Sequence, residues 1–247
     1  MINLFKIENK KMKKSGVLFT GLFFIAFSLF IGTSMFLLNR EVFERDGNQI
    51  IGLWGQSAFY YSQIFYPIII SLMASICCNL EKKNKNWQRM RALPISNEKL
   101  ILGKLFTLSY YLLLLQLIFY ILYIVIAIIL NLSIDLTISL KLLRWIIISW
   151  IGGITILNLQ LFLSIKTNSF TAPIGIATGG SFVGFLLLFI NNNLLAYFPY
   201  SQGTIGMRSR HLQEFQKQEL LTFVIVNAIL NLIIYFLSRR ELNKKEY

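Results

Sequence analysis

Few residues in this chain have the type and spacing to do covalent chemistry. Ser181 follows Gly179-Gly180, the one histidine is His211, and Cys77 and Cys78 are neighbours. A serine nucleophile needs a base held beside it. His211 falls in a polar loop, and the paired glycines already have an explanation as helix-packing residues. Two adjacent cysteines on the reducing side of a membrane predict neither a disulfide nor a metal site, which would need further ligands. The sequence carries no HExxH helix for zinc and no GxxxxGK[ST] loop for nucleotide. What remains is the chemistry of charge and shape, concentrated in residues 81–104, EKKNKNWQRMRALPISNEKLILGK. Lys82, Lys83, Lys85, Arg89, Arg91, Lys99 and Lys104 make it the most cationic loop of the protein. Trp87, Met90 and Leu93 recur at three-residue spacing and so share one face of a short helix, suited to lie against a membrane or a partner. Pro94 ends that helix, because the residue before a proline is pushed out of the α region. Ser96 can cap the next helix, and Glu98 in its first turn complements the helix dipole. The expected product is a helix, a tight elbow and a second helix running into the membrane.

The elements that position this elbow are read from composition. The chain has 247 residues, 55% hydrophobic and 14% charged, too apolar for a soluble domain of this size. Six apolar blocks approach the twenty or so residues that cross a bilayer: 17–38, 57–78, 106–130, 145–165, 173–190 and 221–237. The fold expected is an all-α integral membrane protein of the cell membrane, one six-span domain with both termini cytoplasmic. Residues 1–16 read as an interfacial helix whose lysines meet anionic lipid headgroups. The rival reading, a cleavable signal peptide, does not suit a 22-residue apolar run without an A-x-A site. A net charge of +13 would point to nucleic acid in a soluble protein. Here 17 of the 24 Lys and Arg fall in the terminal and even-numbered connecting segments and seven in the other loops. That alternation is the positive-inside signal, so nucleic acid is set aside as a partner. No Asp, Glu, Lys, Arg or His falls in the cores of the predicted spans, whereas ion-coupled pumps generally need such a group, which leaves only sodium sites built from carbonyls and hydroxyls open to a self-driven transporter. Energy for any transport is then expected to come from outside this chain.

Within the spans, Pro67 is expected to kink the second helix, since it removes a backbone hydrogen bond. Gly175, Gly179, Gly180 and Gly184 predict a packed interior fifth span. Residues 191–220, neither plainly apolar nor plainly disordered, predict an outer segment that partly re-enters the membrane under the cover of other protein. Asn227 and Asn231 share a face of the sixth span and read as interhelical hydrogen-bonding groups ahead of substrate ligands. The loop 40–56 carries Glu41, Glu44 and Asp46, contacts for a cationic amphiphile or simply a solvated acidic loop.

Residues 81–104 also carry a resemblance. Glu81 just inside the membrane, then a short helix, then Pro94-Ile95-Ser96 and Gly103-Lys104 entering the third span, resemble the loop between the second and third spans of type-2 ATP-binding-cassette permeases. Lys85-Asn86 stands where that family usually has a glycine followed by a small hydroxyl residue. Asn86-Trp87-Gln88 and the Ala-Leu-Pro-Ile-Ser run are most similar to permeases that protect producers of lantibiotic peptides. The resemblance implies a coupling helix near 83–93 docked in a groove of a separate ATPase subunit, which would bind the ATP and magnesium. Trp87 and Met90 would fill the groove, while Arg89 and Arg91 would pair with its rim. It further implies a second permease subunit, a heterodimer ahead of a homodimer, and export or removal of a peptide. The other readings are a drug, lipid or polysaccharide as cargo, or a non-transporting scaffold or sensor.

Overall fold

A backbone in hydrocarbon has no water to bond to, so each apolar block must satisfy its own amides, and a helix does this within one segment. The computed structural model describes residues 2–45, 47–82, 96–167 and 169–244, and all regular structure among them is helical. In chain order the helices are α1 (Ile2–Lys13), α2 (Val17–Leu38), α3 (Arg40–Arg45), α4 (Gln49–Lys82), α5 (Asn97–Ile129), α6 (Leu136–Lys166), α7 (Ala172–Ile190), α8 (Asn192–Tyr197), α9 (Gln202–Met207) and α10 (Lys217–Lys244). A single 3-10 turn, Pro199–Ser201, joins α8 to α9. Six of these helices (α2, α4, α5, α6, α7 and α10) are long and apolar enough to cross a membrane.

Several helices outrun the apolar blocks. α4 has 34 residues, about 50 Å at 1.5 Å per residue. Its first turns, residues 49–56, fall in the stretch expected to be a polar loop. They are helical because Leu53 and Trp54 are buried, with the Trp54 indole against Phe119, Tyr123 and Trp145. Tyr123 donates its hydroxyl to the Ile50 carbonyl, fixing the same turn. α6 likewise starts at Leu136, well before the apolar block it contains.

Pro67 has a specific local effect. Residues Tyr61–Phe65 form a π-helical turn immediately before it, closed by the Tyr66 N–H to the Tyr61 carbonyl. In α geometry the Gln63 carbonyl would look to the N–H of residue 67, which proline lacks. The extra residue of a π turn is the local accommodation.

α6 is the post around which the bundle is built: α4, α5, α9 and α10 all pack on it. The closest approach is to the segment 192–207, whose α9 lies along the middle of α6. A Cβ at Gly206 would collide with the backbone of Ser149, and one at Gly152 with the backbone of Gln202. The two backbones can touch only because both positions are glycine. α7 corrects the expectation of an interior helix: Gly180 packs on the Tyr200 ring and Gly184 on Gln63, but Gly175 and Gly179 face open space. Small-residue spacing marks a helix that can be approached closely, without saying that a neighbour in the same chain does so.

Gly206→Ala should therefore destabilise the protein by about 1–3 kcal/mol, the cost of forcing atoms into a filled contact. Gly175→Ala, with room for its Cβ, should be neutral. Thermal unfolding of the two variants in one detergent checks the contrast.

Candidate functional site

Residues 83–95, with Trp87, Gln88, Arg89, Met90, Arg91, Leu93, Pro94 and Ile95, lie outside the described residues. The two flanks of that stretch are described, and they meet. Glu81 ends α4, Lys104 lies two turns into α5, and Lys104 Nζ is 3.0 Å from Glu81 Oε1. The same ammonium is 3.1 Å from Glu8 Oε2 on α1. Lys11, one turn further along α1, reaches Glu8 at 3.0 Å and Glu81 at 2.5 Å. Two carboxylates and two ammonium groups thus form one closed knot. Lys104 is only 2% exposed, Glu81 1% and Glu8 3%. Cys77 packs beside it, its sulfur 3.8 Å from both Lys104 Nζ and Glu8 Oε2.

α1 reaches this knot because its sequence repeats at i, i+4 and i+7: Leu4, Glu8 and Lys11 share a face with Met12. Leu4 packs over Gly103, Phe5 meets the edges of Phe106 and Tyr110, and Met12 is buried. Asn9 accepts the Tyr111 hydroxyl at 2.7 Å. The expectation that the α1 lysines serve lipid headgroups is corrected for Lys11, whose ammonium is committed to carboxylates. Lys6, Lys10, Lys13 and Lys14 remain exposed. Lys104 is corrected in the same way: counted from sequence as a topology charge, it is a buried ion-pair member. Burying charge is tolerable here because the group is neutral in sum and each ion has a close partner.

Further ties hold the flanks. Ser96 caps α5, its hydroxyl accepting the Lys99 N–H. Glu98 pairs with Arg239 of α10 at 2.7 Å, and Asn97 bonds Asn243. Lys82 donates to the Ser164 carbonyl of α6 at 3.1 Å. Between them the two sides of 83–95 are therefore fastened to α1, α6 and α10.

At the opposite end a second set of contacts seats the segment 192–207. Trp54 donates to the Met207 carbonyl, Ser149 to the Gly203 carbonyl and Gln160 to the Tyr200 hydroxyl. Asn227 bonds Gln202 and accepts the Thr155 hydroxyl. Asn231 donates to Thr155 and accepts from Asn158. Both asparagines of α10 thus reach α6, and Asn227 the segment 192–207 as well. Glu44 pairs with Arg40 at the surface, Glu41 is exposed, and Asp46 lies outside the described residues. Ser181 turns its hydroxyl onto the Ala177 carbonyl, and His211 is exposed.

Glu8 is the member of the knot that sequence reasoning missed. A lone glutamate among five lysines, in register with Leu4 and Met12, was the available signal.

Six apolar helices around the segment 192–207, with charge gathered into a neutral knot at one end, define a multi-pass membrane protein. The chain belongs to the ABC-2 family transporter proteins, whose family model matches residues 4–184. It is accordingly a membrane permease subunit of an ATP-binding-cassette transporter in the cell membrane, and membership implies an ATPase partner. The match takes in α1, the knot and most of α7. A comparison with curated proteins finds no match.

Lys104→Met would leave two buried carboxylates facing Lys11 alone, a loss of about 3–5 kcal/mol expected for breaking a buried pair. Glu8→Gln, which leaves Lys104 its bond to Glu81, should cost clearly less. Membrane-inserted yield and thermal stability of the two variants test that order.

Proposed function

We propose that this chain is the permease half of an exporter that removes a peptide from the producer's membrane in lantibiotic self-immunity. ATP and magnesium would be bound by a separate ATPase, with a second and different permease chain completing the pathway. The observation that carries the reading is the charge knot: Glu81 and Lys104 flank residues 83–95 and are locked to each other and to α1. A push delivered to 83–95 then moves α4 and α5 together instead of bending a slack loop. The Lys and Arg asymmetry supports a cytoplasmic side for this end, where an ATPase can reach it. Trp87 and Met90 suit an apolar groove, and Arg89 and Arg91 an acidic rim. Asn86-Trp87-Gln88 with the Ala-Leu-Pro-Ile-Ser run supports the lantibiotic assignment.

An apolar cleft of about 110 Å³ between α4 and α7, lined by Ile64, Ile68, Thr178, Ser181, Phe182 and Phe185, favours an amphiphilic cargo. Its two hydroxyls are turned onto helix carbonyls, so the wall offers hydrocarbon alone. The same cleft supports a second reading in which the cargo is another amphiphile, such as a drug or lipid.

Trp87→Ala and Pro94→Ala should each abolish transport while the protein stays inserted and abundant. Normal peptide resistance and normal ATPase stimulation in both variants would refute the docking role. Neutralising Glu41, Glu44 and Asp46 together should leave peptide tolerance unchanged if that loop is only solvated, and lower it if the acids receive the cationic cargo.

A further inference from the structure

We infer that the π turn of α4 is a movable latch, with Gln63 as its bolt, that holds the segment 192–207 in place until α4 is driven from its cytoplasmic end. The inference rests on the ATP-driven reading above and adds the element that the drive would act upon.

The turn Tyr61–Phe65 places three polar side chains in succession where the protein is driest: Tyr61, Ser62 and Gln63 are all fully buried. Gln63 uses both ends of its amide. Its Nε2 donates to the Ser181 carbonyl of α7 at 2.9 Å, and its Oε1 accepts the Thr204 hydroxyl of α9 at 3.0 Å. Ser62 lies 3.2 Å from the Ser209 hydroxyl, just beyond α9. One irregular turn thus holds α7, the segment 192–207 and the chain just beyond it. The packing around it leaves little slack: a Cβ at Gly203 would strike the Tyr66 ring, and one at Gly184 would press on the Gln63 amide.

A π turn differs from an α turn by one residue, and it can move along a helix by exchanging hydrogen bonds one at a time. Residues that it passes swing by about 100°, while those on either side keep their places. Moving it by a few residues would carry Ser62 and Gln63 away from Ser209, Thr204 and Ser181. Trp54 would stay in the core at one end and Glu81 in the knot at the other. Two features set the balance between registers. Pro67 favours the present one, because α geometry at Gln63 would leave its carbonyl without a donor. The Tyr61 hydroxyl opposes it, being buried with no hydrogen-bond partner among the described residues. An element with opposing preferences of this kind is suited to two states.

The test uses the full transporter complex in native membranes, with Met207→Cys as reporter, a side chain with no exposure in this state. Labelling by a membrane-impermeant maleimide added from outside is read above the background of the parent chain. In the reporter chain, protection is expected at rest and labelling during ATP turnover. Gln63→Leu should label about tenfold faster without ATP, as expected for losing two buried hydrogen bonds. Pro67→Ala, which restores the missing N–H and keeps Gln63, should do the same. Gln160→Leu removes a bond to Tyr200 outside the turn and should leave the protection intact. If Gln63→Leu or Pro67→Ala stays protected at rest, or Gln160→Leu exposes the reporter equally, the latch is overturned. If the two latch variants expose it while the reporter chain ignores ATP, the latch stands and the ATP-driven reading fails.

Discussion

Charges taken out of water must find each other, and this protein is organised at one end by that requirement. Glu8, Glu81 and Lys104 come from three helices that are far apart in the chain and are buried together, while half-buried Lys11 closes the set from its rim. Because the four charges cancel, the knot sits among apolar side chains such as Met12 and Cys77 with only Lys11 reaching solvent. Its mechanical consequence follows from its chemistry. A set of short ion pairs in a low-dielectric setting resists shear more than the apolar contacts around it, which slide at small cost. The helices that flank residues 83–95 are thereby tied by ion pairs to each other and to α1.

The other end is organised by a different constraint. A segment built of short helices and turns leaves amides and carbonyls at its helix ends that one long helix would bond within itself. Here the cover is supplied by α6, whose Ser149 and Gly152 let α9 lie directly on its backbone, and by side-chain amides from α4, α6 and α10. Gln63, Gln160, Gln202 and Asn227 each place an amide against this segment or within it. α4 takes part in both constraints, with Glu81 at one end and Trp54 and Gln63 toward the other. It is the physical connection between the two ends of the bundle.

Much of this was legible in the chain itself. Six apolar runs separated by polar segments, with Lys and Arg unevenly divided, determine a six-helix membrane protein, because the cost of an unpaired amide in hydrocarbon leaves few alternatives. Ser96 as a helix cap and the two asparagines of α10 as interhelical bonding groups follow from local chemistry, whereas Pro67 predicts a kink and what stands beside it is a π turn. Glu81 and Lys104 stood out through the pattern of residues 81–104.

What only the tertiary structure decided depends on contacts between segments distant in sequence. Lys104 looks the same in the sequence whether it faces water or two buried carboxylates, and its pairing with Glu8 appears only when α1 folds back on α5. Residues 49–56 read as a loop because hydropathy averages over Gln49 and Gln56, while the burial of Trp54 against α5 and α6 makes them helix. α7 read as interior because small residues permit close packing, but whether a neighbour takes up that permission is settled by where other helices lie. Local chemistry sets what each segment can do. Which of those options is realised depends on long-range burial, since the free energy of pairing a charge or filling a contact exists only once both partners are in place.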